Sequence, residues 1–246
     1  MGDLVSVTLE RIEKAFPGTG PVLAGVSLEV APGEFVAIVG PSGCGKSTLF
    51  TVMGGLEPPD AGRVLVDGRD ATGETAPFAY MPQQDLLFPW RTVLDNTTLG
   101  LEVAGVRRRE ARARAQALFG PFGLAGFEQA RPDELSGGMR QRAALLRTVV
   151  QERSLLLLDE PFGALDSLTR SEMQAWLAEV WARYGWTVLL VTHDIREAVF
   201  LSDRVVVLTP RPATVRTQLS VDLPRPRRTG AALTAAEEKV HAALTG

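Results

Sequence analysis

The 246 residues are 45% apolar and carry 26 basic against 29 acidic side chains, a net charge of −3, which suits one large domain with a substantial core. That balance provides no overall basic field of the kind a long nucleic-acid surface needs. The single cysteine, Cys44, and the two histidines, His193 and His241, exclude an internal disulfide and argue against a Cys- or His-rich metal site.

The opening Met1-Gly2-Asp3-Leu4-Val5-Ser6 fits the loose acylation pattern, but the pattern is too short to carry weight. No charged, apolar leader precedes the first strand-like segment, so no secretory signal is expected. Val5, Val7 and Leu9, then Val22, Val26, Leu28 and Val30, alternate with polar residues around Pro17-Gly18. This reads as two half-buried strands joined by a turn. Residues 34–39 form a nearly continuous apolar strand that runs into a glycine-rich turn at 40–45, and 46–53 carry helical spacing. A strand follows at 63–66, closed by the turn signal Asp67-Gly68.

From 92 to about 130 the pattern is helical and strand-poor. Alternation then resumes: a buried strand at 155–158, a helix at 167–184, a strand at 187–191, a short helix at 195–201 and a strand at 204–208. Strands that alternate with helices imply a mainly parallel sheet covered on both faces. The stretch from Pro210 is rich in proline and arginine, with a short helix expected at 234–244. The longest apolar runs, at 155–158 and 205–208, fall far short of the roughly 20 residues of a spanning helix. A soluble or peripheral protein in a reducing compartment is expected.

Three motifs carry chemistry. Gly40-Pro41-Ser42-Gly43-Cys44-Gly45-Lys46-Ser47, with Thr48 after it, satisfies the phosphate-binding pattern G-x-x-x-x-G-K-S between a buried strand and a helix. The glycines let backbone N–H groups turn around a phosphate, and the helix presents its positive end. Lys46 would neutralise the β- and γ-phosphates of ATP and Ser47 would ligate Mg²⁺. Cys44 is read as contributing backbone only.

Leu155-Leu156-Leu157-Leu158-Asp159-Glu160 is an apolar strand ending in two acids at the sheet's carboxyl edge, where open α/β sheets bind ligands. Asp159 would hold Mg²⁺ through water, and Glu160 would orient or deprotonate an attacking water. Paired acids also end many ordinary strands, so this motif gains meaning only beside the glycine loop. Third, Leu135-Ser136-Gly137-Gly138-Met139-Arg140-Gln141-Arg142 opens a helix on a serine and two glycines, an anion site. Its closeness in sequence to the acidic strand makes it unsuited to the same phosphates, so its natural use is on a nucleotide held by another subunit.

Taken together, the loop at 40–47, Gln83, the signature at 135–139, Asp159-Glu160, Ala164-Leu165-Asp166 and His193 resemble the ATP-binding subunits of ABC transporters over essentially the whole chain. The resemblance implies an α/β P-loop ATPase core with a mainly parallel sheet, an antiparallel β subdomain and a helical signature subdomain. In this reading 1–90 and 150–210 are the core, 91–149 the helical part and 211–246 a short C-terminal tail. Phe16 falls where the family stacks adenine. Gln83 falls where the family's glutamine contacts Mg²⁺ and the attacking water. Gln84 competes for that role, but the spacing to Pro89-Trp90 favours Gln83. Asp166 would link two active sites, and His193 would contact the γ-phosphate.

Family members pair head to tail, so each ATP would lie between one subunit's loop and the partner's Ser136, Gly137 and Gly138. The implied partners are a second copy of the chain, polytopic membrane subunits and, indirectly, a solute-binding protein, with no nucleic acid. The implied location is the cytoplasmic face of the cell membrane, with the subunit peripheral to it.

The segment 81–92 and the tail Leu223-Pro224-Arg225-Pro226-Arg227 resemble importers of nitrate, sulfonates and taurine, or pyrimidine precursors of thiamine. Met139 departs from the glutamine usual in the wider family. Leu146-Arg147-Thr148 leans toward the pyrimidine-precursor branch. The arginine-rich run from Arg107 to Arg114 reads as a solvated helix face, and Phe88 and Trp90 are read as surface for the membrane subunit or as core. The alternative function is a soluble ABC-type ATPase of translation or repair. Such proteins carry two cassettes or a coiled-coil insertion, and neither is seen here.

Overall fold

The computed structural model describes residues 5–75, 77–153 and 155–246. Met1 to Leu4, the start of the acylation pattern, lie outside them.

β1 (Val7–Phe16) and β2 (Gly20–Val30) form the expected antiparallel hairpin, with Val7 opposite Val30 and Phe16 opposite Gly20. β4 (Ala61–Val66) pairs antiparallel with β1, and β5 (Arg69–Asp70) turns back on β4 at Asp67-Gly68. The result is a four-stranded sheet of order β2-β1-β4-β5. Burial alternates along these strands because one face meets the core and the other meets water.

The main sheet has the order β10-β9-β3-β8-β7-β6. β3 (Phe35–Val39), β7 (Leu155–Asp159) and β8 (Thr187–Val191) are buried at every position. With β9 (Arg204–Leu208) and β6 (Phe78–Met81) they pair parallel. Such strands read as unbroken apolar runs because both faces are covered.

On one face, Val36 and Ile38 pack with Leu49, Phe50 and Met53 of α1 (Lys46–Met53) and with the antiparallel sheet. On the other, Ala37 and Val39 meet Ala198 and Val199 of α7 (Ile195–Leu201). Farther along that face, Leu156, Leu158 and Leu190 meet the helical layer. That layer comprises α2 (Val93–Thr97), α3 (Leu99–Val103), α4 (Arg108–Phe119), α5 (Gly137–Val149) and α6 (Ser167–Tyr184). α4 buries Ala111, Ala115 and Phe119, while Arg108 and Arg112 pair with Asp95 of α2. Its arginine-rich face is partly neutralised rather than a free basic patch.

The C-terminal segment packs onto the sheet edge. β10 (Val215–Ser220) adds to β9 antiparallel at the sheet edge, and α8 (Ala231–Thr245) buries Leu233 and Val240 against it and α7. Arg227 is buried and donates to the carbonyls of Val199, Phe200, Ser202 and Val221. It satisfies carbonyls that the end of α7 leaves over.

Candidate active site

β3 feeds the turn at 40–45, and α1 begins immediately after it. Gly45 sits at φ +122°, and a Cβ there would lie 2.8 Å from Val22 Cγ1. Only glycine lets the loop close against β2. Lys46 is 6% exposed, and its Nζ donates back to Gly40 O at 2.8 Å and Pro41 O at 3.1 Å. Cys44 is buried beneath the loop, and that burial pushes its thiol pKa up. It therefore stays a thiol and lacks the thiolate that redox or nucleophilic chemistry needs.

An open cavity of about 590 Å³ lies against this loop. Ser42, Gly43, Gly45, Lys46, Ser47 and Thr48 form its floor, and Phe16, Thr19 and Val22 of the β1–β2 hairpin form one wall. Gln83, Glu160 and His193 close the other side, where β6, β7 and β8 end. Residues far apart in sequence thus converge at the carboxyl edge of the parallel strands.

The two acids have different surroundings. Asp159, 3% exposed, accepts from Tyr80 Oη at 3.2 Å, and its Oδ1 has no partner. Burial raises its pKa, against the pull of the neighbouring Ser47 and Tyr80 hydroxyls. Glu160 is half-buried in the left-handed region at φ +45°. Its Oε2 accepts from Gln83 Nε2 at 3.0 Å and lies 3.2 Å from His193 Nδ1.

Gln83 is held by its neighbours in the chain. Arg147 of α5 donates to the carbonyls of Asp85 and Leu86. The fully buried Asn96 of α2 accepts from Phe88 N at 2.7 Å and donates to the carbonyls of Phe88 and Thr92. Trp90 is 70% exposed and stacks on Phe88, which places the indole at the surface rather than in the core.

Ser136, Gly137, Gly138 and Asp166 do not line this cavity. Ser136 caps α5, its Oγ accepting from Met139 N at 3.3 Å. A Cβ on Gly138 would sit 3.0 Å from Thr169 Cγ2, so glycine lets α5 and α6 approach. Asp166 caps α6 by accepting from Leu168 N and Thr169 N, and these hydrogen bonds lower its pKa. Ser136 and Asp166 are exposed, and neither lines the cavity at the chain's own phosphate loop.

Sequence reasoning missed Arg211, which also lines the cavity. Its guanidinium donates to the carbonyls of Thr19, Gly20 and Pro21 and clamps the hairpin that carries Phe16. It lies in the Pro/Arg-rich stretch after β9, and no motif announced it.

Four residues past His193, Glu197 is buried with its pKa pushed up to about 8. Desolvation is the main cause and repulsion from Asp194 adds to it; Gln174, Thr192 and Arg170 oppose it. From about pH 4.5 to 8 the folded chain holds a proton that the unfolded chain has released. Stability therefore falls as pH rises through that window and levels off above it. Relative to wild type, Glu197→Gln is expected to gain on the order of 5 °C in Tm between pH 5 and 8. Parallel Tm profiles for the two proteins would refute the buried neutral carboxyl.

A family model described as ABC transporter matches residues 23–163. The chain is 46% identical over 215 residues to the formylaminopyrimidine import ATP-binding protein ThiZ of Halalkalibacterium halodurans, covering 87% of this chain and 84% of that one. It is 46% identical over 208 residues to the taurine import ATP-binding protein TauB of Burkholderia thailandensis, covering 85% and 80%. The dimeric structure of MJ0796, a bacterial ABC transporter cassette, matches with a TM-score of 0.76 at 30% identity, over 89% of this chain and 100% of that one.

Proposed function

Because the chain belongs to the ABC transporter family as an ATP-binding subunit with ATPase activity, we propose that it powers import of a small solute through separate membrane subunits, by ATP-driven head-to-tail pairing. The observation that carries the pairing is the separation of its two anion-binding elements. The loop at 40–47 faces the cavity with Gln83, Glu160 and His193, while Ser136, Gly137 and Gly138 face elsewhere. A second chain, most simply an identical copy, turned head to tail brings its signature helix to this chain's phosphates. Two such sites then close together, and ATP shifts the population toward the closed pair because that pair binds it better.

Within one site, Phe16 stacks on adenine and the backbone of 40–48 cradles the phosphates, with Lys46 supplying the compensating charge. The residues present fit Mg²⁺. The Ser47 hydroxyl, the buried and unpartnered Oδ1 of Asp159 and the Gln83 amide oxygen are hard oxygen donors. Bound there, Mg²⁺ would neutralise charge on the β- and γ-phosphates. Asp159 and Ser47 would hold it, with Gln83 beside them. Glu160 takes the proton of the attacking water. Gln83 and His193 both fix its Oε2, which leaves Oε1 for that water. His193 also reports on the γ-phosphate, and Asp166 reaches toward the partner's site.

No helix among the described residues is long and apolar enough to cross a membrane; in this reading other chains supply the transport path. A groove beside Gln83, lined by Leu86, Phe88 and Val103, is the docking place for a membrane subunit at the cytoplasmic face. The similarity to the formylaminopyrimidine and taurine importers named above supports a small polar solute as cargo.

Affinity purification of the tagged chain from solubilised native membranes, followed by mass spectrometry, tests the reading. Co-purification of a polytopic membrane subunit is expected. Recovery of only ribosomal or other soluble partners would move the assignment to a non-transport ATPase.

A further inference from the structure

We propose that Arg170 is a positioning residue that ties the Asp166 loop to the His193 loop, so that the two ATP sites of a head-to-tail pair turn over together. The proposal rests on the dimeric reading above.

Arg170 lies one turn into α6. Its Nη2 donates to Leu165 O at 2.8 Å, next to Asp166, and its Nη1 lies 3.7 Å from Asp194 Oδ2, next to His193. One guanidinium therefore spans the two loops. Asp194 is itself fixed: its Oδ1 caps α7 by accepting from Glu197 N at 3.1 Å, and its own N–H donates to Thr192 Oγ1 at 3.0 Å. The second of these bonds, from Asp194 N to Thr192 Oγ1, bridges across His193.

One turn farther along α6 is a second rung. Gln174 Nε2 donates to Glu197 Oε2 at 3.3 Å, and both side chains are buried. Rungs at 170 and 174 on α6 meet 194 and 197 on α7. A shift of His193 toward or away from a γ-phosphate must then drag the start of α6, and with it Asp166.

Two buried atoms in this ladder have no partner, Arg170 Nε and Glu197 Oε1. One is a hydrogen-bond donor and the other a carboxyl oxygen, and the Arg170 charge is felt at Glu197. A small slide of α7 along α6 has a ready second pairing between them, as a two-position coupling element requires. The Arg170–Asp194 pair is about 30% exposed on each side, so it adds little to global stability, and its value is in registering one loop against the other. Lysine, a point charge without a fork, cannot hold the Leu165 carbonyl and the Asp194 carboxylate together.

The test is steady-state ATPase kinetics of Arg170→Met and Arg170→Lys, with ATP-dependent dimerisation scored in a Glu160→Gln background. Arg170→Met is expected to lower kcat by about tenfold and bring the Hill coefficient for ATP from near two to near one. KM should stay within about twofold. Arg170→Lys should recover part of kcat but not the cooperativity.

Glu160→Gln with Arg170→Met should still dimerise with ATP, which separates lost coupling from lost folding or binding. An Arg170→Met protein with wild-type kcat and Hill coefficient would overturn the proposal. So would one whose losses track a lowered Tm and a missing dimer. Glu160→Gln protein that stays monomeric with ATP, together with hyperbolic kinetics of the unsubstituted protein, would remove the dimeric reading, and the coupling with it.

Discussion

Glu160→Gln should lower ATP turnover by about a thousandfold, the loss expected when a positioned general base is removed, while ATP binding survives. The substitution is nearly isosteric and keeps a residue of the same shape at φ +45°, so the backbone strain of that position is unchanged. Only the charge and basicity of one carboxylate are lost. The phosphate cradle of Gly43, Gly45, Lys46 and Ser47 comes from a different segment of the cavity lining and keeps its residues, so the nucleotide still enters and still pulls two chains together.

Hydrolysis normally reopens that pair. A variant that binds but cannot hydrolyse should therefore accumulate as a stable ATP-bound dimer. Light scattering with and without ATP reads this directly. A protein that remains monomeric at saturating ATP would count against head-to-tail pairing, and one that hydrolyses ATP at the wild-type rate would remove Glu160 from the chemistry. His193 offers an internal control: it touches the same oxygen of Glu160 but is more than half exposed. It can be replaced without disturbing the core.

The parts of this fold that could be read from the chain are those where one local rule acts alone. β3, β7 and β8 are buried on both faces, so each is an unbroken apolar run. α6 begins at an aspartate cap and ends at Gly185 in the left-handed region, the two commonest punctuation marks of a helix. The antiparallel hairpin shows the alternation of a half-buried ribbon.

β6 is only four residues between Pro77 and Pro82, too short for its period to register. β10 is an edge strand with no position fully buried, and its stability comes from backbone pairing with β9, which no side chain advertises. The glycine loop, Asp159 and Glu160 were legible because their chemistry forces a spacing. The structural roles of Arg211, Asn96 and Arg170 were not. Each side chain acts through carbonyls, distant along the chain for Arg211 and within about one or two helical turns' worth of sequence for Asn96 and Arg170, and a carbonyl leaves no mark in a sequence.

Lys46→Ala should weaken ATP binding by about 10²–10³-fold, the cost of removing one buried, hydrogen-bonded charge from an ionic contact. Two roles compete for Lys46, and their magnitudes separate them. As a brace, its Nζ satisfies the carbonyls of Gly40 and Pro41. Pro41 is exposed and Gly40 only half-buried, so water replaces the lost donor and stability falls by about 1 kcal/mol at most. As the ammonium set beside the β- and γ-phosphates, it offsets charge that nothing else in the cavity floor carries: Ser42, Gly43, Gly45, Ser47 and Thr48 are all neutral. The second loss is the larger, so a small change in Tm should accompany a large change in ATP affinity by calorimetry. Placed on top of Glu160→Gln, Lys46→Ala should abolish the trapped dimer at ATP concentrations that saturate the single variant. Survival of that dimer would mean that the loop backbone and the N-terminus of α1 hold the phosphates without the lysine. A fall in Tm as steep as the fall in affinity would mean that bracing, not phosphate charge, is what Lys46 contributes.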